Sequence, residues 1–166
     1  MEKVVDYIPY LRSFVGHREI LTVGLSALIV DEKEEFLLEK RSDNGLYCRP
    51  GGSLDLGETV LEGVVREVRE ETGIVLDPKE GRLFQIRSGD KAQIHYPNGD
   101  VTDYVDLVFL FRVSSAVLDP SALHDQESVS IAFYPEERLP HEEETLPGTM
   151  DSIRKYLRKD FSVTVD

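Results

Sequence analysis

Hydrophobic and polar positions follow two rhythms along this chain. Tyr7, Ile8, Leu11, Phe14 and Val15 recur at helical spacing and Gly16 follows as a stop, which predicts a short amphipathic helix. Ile20–Val30 is aliphatic almost throughout and predicts a buried strand. Residues 31–35 form a charged turn, and Phe36–Arg41 predicts a second strand in a hairpin with the first. Ser42, Asp43, Asn44 and Gly45 form a turn cluster. Thr59 followed by Glu62 fits a capping box, so a helix is expected to start near Thr59. Its apolar positions, Val60, Leu61, Val64, Val65 and Val68, make a stripe of helical period, and Gly73 suits a left-handed stop. Its valines are poor helix formers, so packing against a sheet must hold this helix.

Further along, residues 82–87, 92–96, 104–113 and 128–134 predict strands, with Asn98-Gly99 as a hairpin signal between the second and third. Residues 105–111 read as a central strand with one polar interruption. Pro140 and Pro147 bracket an acidic loop, and residues 149–159 predict a last helix with Ile153, Tyr156 and Leu157 inward. No repeat or linker divides the chain. This order predicts an α/β fold, a mixed sheet with helices on its faces, as a single domain over 1–166 with residues 1–17 as an N-terminal helical extension. That first helix either packs on its own domain or covers a partner subunit, which would make a homodimer.

A chain of 166 residues can bury a sizeable core. The net charge of −13 argues against nucleic-acid backbones and anionic membranes as partners, because both call for clustered Lys and Arg. It leaves phosphate substrates open, since a bound metal can reverse the local sign. The single cysteine, Cys48, rules out an internal disulfide framework and suits a reducing compartment, so a cytoplasmic location is expected. Residues 1–6 show no basic start before an apolar run, so no secretory leader is expected. No stretch approaches the roughly 18 apolar residues of a membrane span.

The chemistry concentrates on the helix that Thr59 caps. Glu67, Glu70 and Glu71 stand at i, i+3 and i+4, so one helix face carries three carboxylates. That arrangement repels itself unless a cation joins it, and an all-oxygen set favours a hard ion such as Mg²⁺. Pro50-Gly51-Gly52 precedes the helix and lets backbone, metal or phosphate approach closely. Arg66 can pair with Glu70 at i+4 and reach Glu58. Glu58, at the helix start, suits the helix dipole.

The spacing of Gly52, Glu58, Arg66, Glu67, Val68, Glu70, Glu71, Gly73 and Ile74 resembles the signature of the Nudix hydrolase family, with no departure from its pattern. The resemblance covers residues 52–74. It implies an α/β/α sandwich and metal-dependent hydrolysis of a nucleoside diphosphate linked to another moiety, with Mg²⁺ required and Mn²⁺ as a substitute. It implies that Glu67, Glu70 and Glu71 hold metal together with the main-chain carbonyl of Gly51. Glu67 is either a ligand or the general base, and Arg66 orients the carboxylates. Catalysis is therefore expected at Arg66, Glu67 and Glu70. Family members often add a late glutamate, for which Glu127 is the positional candidate, as a site residue or a solvated loop carboxylate.

Arg41 and Arg49 flank the glycine loop and either reach a phosphate or form surface ion pairs. Tyr96 and Tyr104 flank the predicted hairpin and either stack a base or pack. Cys48 reads as a half-buried small hydrophobe, and His95 and His124 as surface or structural. The expected partner is a small nucleoside diphosphate derivative. The alternative is a nucleotide-sensing domain of the same fold that does not cleave. Isopentenyl diphosphate isomerase also shares the fold, but its chemistry resembles a Cys/Glu pair with a tryptophan, and this chain has no Trp. RNA decapping fits poorly with the acidic balance. The region 88–90 lacks the proline and tyrosine markers of ADP-ribose and dinucleoside polyphosphate hydrolases, so neither substrate is singled out.

Overall fold

The computed structural model describes residues 6–119, 121 and 128–166. In chain order the elements are α1 (Tyr7–Val15), β1 (Ile20–Val30), β2 (Phe36–Arg41), β3 (Tyr47–Cys48), β4 (Gly51–Ser53), α2 (Val60–Thr72), β5 (Arg82–Arg87), β6 (Gln93–His95), β7 (Val101–Arg112), β8 (Ser128–Tyr134), α3 (Thr149–Leu157) and β9 (Thr164–Val165). The strands form one mixed sheet in the order β3-β2-β1-β7-β5-β9, with β4 on β1, β6 on β7 and β8 on β2.

The sheet is covered on both faces, which is why β1 is aliphatic nearly throughout. Successive side chains along a strand point to opposite faces. Leu25, Ala27 and Ile29 pack with Phe109, Phe111 and the α2 residues Val64 and Val68. The intervening Leu28 and Val30 pack with Val108, Leu110 and the α3 residues Ile153 and Tyr156. A single domain of three layers results, helix on sheet on helix.

The capping box at Thr59 and Glu62 is present, and α2 ends at a left-handed Gly73 with φ 72°. Gly99, at φ 89°, turns the chain between β6 and β7. The anticipated β1–β2 hairpin closes only at its tip, where Val30 pairs with Phe36. Beyond that tip β1 runs parallel to β7 from Ile20↔Thr102 to Val30↔Arg112, and β2 pairs with β8. A central strand buried on both faces takes its partners from distant parts of the chain, so adjacency in sequence misled there. β6 is shorter than the expected 92–96 because residues Gly89–Ala92 form a 3₁₀ turn. Helix α3 stops at Leu157, two residues before the left-handed Lys159, and Leu157 is only half-buried.

Candidate active site

The strand β4 carries the glycine loop along β1, with Gly51 opposite Ser26 and Gly52 opposite Leu25. A Cβ on Gly51 would lie 2.2 Å from the carbonyl oxygen of Leu25, so this strand pair admits only glycine there. A Cβ on Gly52 would lie 2.5 Å from the carboxyl carbon of Glu67. Both glycines thus serve close approach, one to backbone and one to an acidic side chain.

Helix α2 faces this loop with its acidic residues. The Gly51 N–H donates to Glu71 Oε2 at 2.8 Å, and Glu71 is buried. Arg66 gathers the others: it donates to Glu58 at 2.7 and 3.0 Å, to Glu67 at 2.8 Å, to Glu70 at 3.2 Å and to the carbonyl of Ser53 at 3.1 Å. Of the two trio carboxylates that Arg66 holds, Glu67 is the more enclosed, while the Glu70 side chain is 59% exposed. Burial pushes the Glu67 carboxyl up to about 7; Arg66 pulls it down, and the charges of Glu70 and Asp55 push it further up.

The three glutamates leave one helix, yet they are not gathered into a ready cage. Among the described residues, no group of three acidic, histidine or cysteine side chains is arranged to hold a metal ion. The physical reason lies in Arg66 and Gly51, the nearest positive donors, to which the carboxylates turn. The donor set still fits a hard divalent ion in kind. Glu67 and Glu71 line one cavity together with Gly51 and Gly52, the ligands at hand are all oxygens, and burial disfavours the ionised Glu67 more than Arg66 favours it, a cost that a further cation would relieve.

Arg41, Tyr96 and Tyr104 border the same cavity and connect it to a second, of about 120 Å³, lined also by Arg49, Arg87 and Asp106. Arg41 is clamped by Asp43 through two bonds of 2.9 and 2.8 Å. Arg49 is not at the surface: it is buried and donates to the carbonyl of Gly148, to Ser152, and to Ser26 and Asp106 at 3.2 and 3.3 Å. It therefore braces the cavity wall between the sheet and α3. The phenol oxygens of Tyr96 and Tyr104 lie 2.7 Å apart, so each ring fixes the other. Cys48 is fully buried rather than half-buried and its thiol donates to Glu39; burial raises its pKa. His95 is exposed and bonds Gln93. Glu127 and His124 fall outside the described residues.

Sequence reasoning passed over Asp106 and Arg87. Asp106 is the polar interruption of the central strand; it accepts from Ser26 at 3.0 Å and faces both Arg49 and Arg87. A charged residue within an otherwise apolar strand was the available signal. Arg87, at the end of β5, is buried and donates to the carbonyls of Pro147 and Lys91.

Comparison with known proteins meets this geometry. The human 8-oxo-dGDP phosphatase NUDT18 is 32% identical over 117 residues, which are 69% of this chain and 32% of that protein. The ADP-ribose pyrophosphatase of Methanocaldococcus jannaschii is 38% identical over 88 residues, 51% of this chain and 47% of that protein. The chain thus spans less than half the length of either relative. The crystal structure of a MutT protein from Methanosarcina mazei Go1 superposes with a TM-score of 0.60 at 28% identity, covering 87% of this chain and 99% of that one. The family model described as the NUDIX domain matches residues 21–157, a span that includes the glycine loop and all of α2. The acidic helix and its glycine loop are therefore those of a known lineage, and the chain belongs to the Nudix family.

Proposed function

We propose that this protein is a metal-dependent hydrolase that cleaves the pyrophosphate linkage of a nucleoside diphosphate joined to another group. The observation that carries the reading is that Glu67 and Glu71 line one cavity with the Gly51–Gly52 loop, within a chain of the Nudix family. Glu67, Glu70, Glu71 and the Gly51 carbonyl would hold Mg²⁺ or Mn²⁺. The ion, when bound, neutralises phosphate charge and acidifies water.

The chain's own residues account for the rest. Gly52 leaves room for the Glu67 carboxylate, which a side chain there would displace. Arg66 sets the rotamers of Glu67 and Glu70 and shares out their charge. Glu67 is the enclosed carboxylate that takes the proton of the attacking water, or else serves wholly as a ligand. Water then adds at phosphorus, the bridging P–O bond breaks, and its electron pair leaves on the departing phosphate oxygen. Substrates in keeping with the relatives' names are an oxidised deoxynucleoside diphosphate and ADP-ribose; nucleotide sugars and nucleoside triphosphates satisfy the same chemistry.

One observation favours a second reading, nucleotide binding without cleavage: Arg66 occupies Glu67 and Glu70. A panel of 8-oxo-dGDP, ADP-ribose, UDP-glucose and nucleoside triphosphates, incubated with excess Mg²⁺ in ¹⁸O-enriched water, separates the two. Labelled phosphate products on at least one compound are expected, together with a melting temperature raised by Mg²⁺. Absence of turnover across the panel would leave binding as the function.

A further inference from the structure

The geometry points to helix α1 as part of the substrate site: we propose that Ile8 forms, with Tyr96 and Tyr104, the slot that seats the flat ring of a nucleoside base. The inference rests on the proposed function only in taking a nucleotide as the ligand. Ile8 lines the same cavity as Glu67, Glu71, Tyr96 and Tyr104, although it lies in a helix that precedes the family match over 21–157.

Core packing does not explain where α1 sits, since it has no buried residue. Polar ties hold it instead, and they reach both banks of the cleft. On one bank, Asp55, just ahead of α2, accepts from the Tyr7 N–H at 2.9 Å. On the other, Arg12 donates to the carbonyl of Val101 and the hydroxyl of Thr102, each at 3.0 Å, and His17 meets Asp100 at 2.7 Å. Asp100, Val101 and Thr102 belong to the β6–β7 hairpin that bears the two tyrosines. The helix spans the mouth from the acidic helix to the aromatic hairpin and turns its half-buried face inward.

The chemistry of the slot is selective. Two phenol rings locked through their hydroxyls and one branched aliphatic side chain offer flat apolar surface, with carboxylates and Arg41 beside it. A ligand that fits has a planar, weakly polar body at one end and a diphosphate at the other. A π-face on an aromatic or aliphatic wall gains dispersion and sheds water whatever the base. Glycine at position 24 lets the Tyr104 ring lie close against β1: a Cβ there would lie 2.8 Å from its Cδ1.

The test compares ADP with inorganic pyrophosphate, which has no ring to seat, by titration calorimetry in Mg²⁺. Ile8→Ala is expected to weaken ADP binding by roughly fivefold or more, the order of a lost apolar contact, and to leave pyrophosphate unchanged. Arg12→Ala, which unpins the helix from the hairpin, is expected to give the same selective loss. Equal weakening of both ligands, or no change in either, overturns the inference. So does a wild-type protein that binds pyrophosphate as tightly as ADP. A protein that binds ADP selectively through Ile8 yet hydrolyses nothing would refute the hydrolase reading and leave this one standing.

Discussion

Glu71 and Gly51 are joined by a hydrogen bond of 2.8 Å, a buried carboxylate receiving a main-chain N–H from the loop it faces. The helix thereby latches the loop. Glu71→Ala removes a charged acceptor and strands the N–H, and is expected to cost about 2 kcal/mol in urea unfolding. Glu71→Gln keeps an acceptor and should remain close to wild type in stability, while the proposed role of Glu71 as a metal ligand predicts a kcat lower by roughly 100-fold. Undiminished turnover in the glutamine variant would remove Glu71 from the site.

The two loop glycines are expected to fail in different ways. At Gly51 the new methyl meets main chain, 2.2 Å from the Leu25 oxygen and 2.7 Å from the Ser26 Cα. Gly51→Ala should therefore destabilise by about 3 kcal/mol or abolish folding. At Gly52 it meets the end of the Glu67 side chain, which can swing away. Gly52→Ala should fold with a nearly unchanged melting temperature and lose activity. A Gly52→Ala enzyme with full kcat would show that the position of Glu67 is immaterial.

Arg66→Lys isolates geometry from charge. Lysine keeps the cation but cannot bond Glu58, Glu67, Glu70 and Ser53 at once, as the guanidinium does. A loss of about 1–3 kcal/mol in stability and a lower kcat with little change in KM are expected from unfolding and steady-state measurements. A lysine variant equal to wild type in both would reduce Arg66 to a bystander.

Acid should loosen the turn between β1 and β2. Glu34, held there at φ 64°, accepts from Tyr156 at 2.6 Å and pairs with Arg112, and the tyrosine hydroxyl foremost holds its carboxyl below the usual 4.5. A depressed carboxyl adds stability above its unfolded value and loses it as pH falls through the folded value. Wild type should thus lose stability below about pH 4.5 more steeply than Glu34→Gln, measured by urea unfolding across pH 3–6. Parallel curves would show that Glu34 has no part in it.

Local rules make much of this molecule legible from its residues alone. The Thr59 capping box, the Gly73 stop and the Asn98-Gly99 turn each depend on a few neighbouring residues, and each is present. The acidic helix and the loop that faces it are legible for the same reason. What escapes depends on pairing across the chain. Asp106 becomes a cavity residue only because β7 lies beside β1, where Ser26 can reach it. Arg49 is drawn inside by Gly148 and Ser152, about a hundred positions away. The ties of Arg66 to Glu70 and Glu58 follow from helical spacing, whereas its bond to the adjacent Glu67 does not.

The parallel pairing of β1 with β7 bears on how the chain reaches its native state. Ile20 meets Thr102, so the middle of the sheet waits until some eighty later residues have been made. Closing so large a loop costs entropy before any contact repays it, and long-range pairing of this kind is slow. During synthesis β1 is thus an apolar ribbon without its main neighbour, and a nascent chain halted before residue 101 exposes a template for aggregation where the finished protein has its centre.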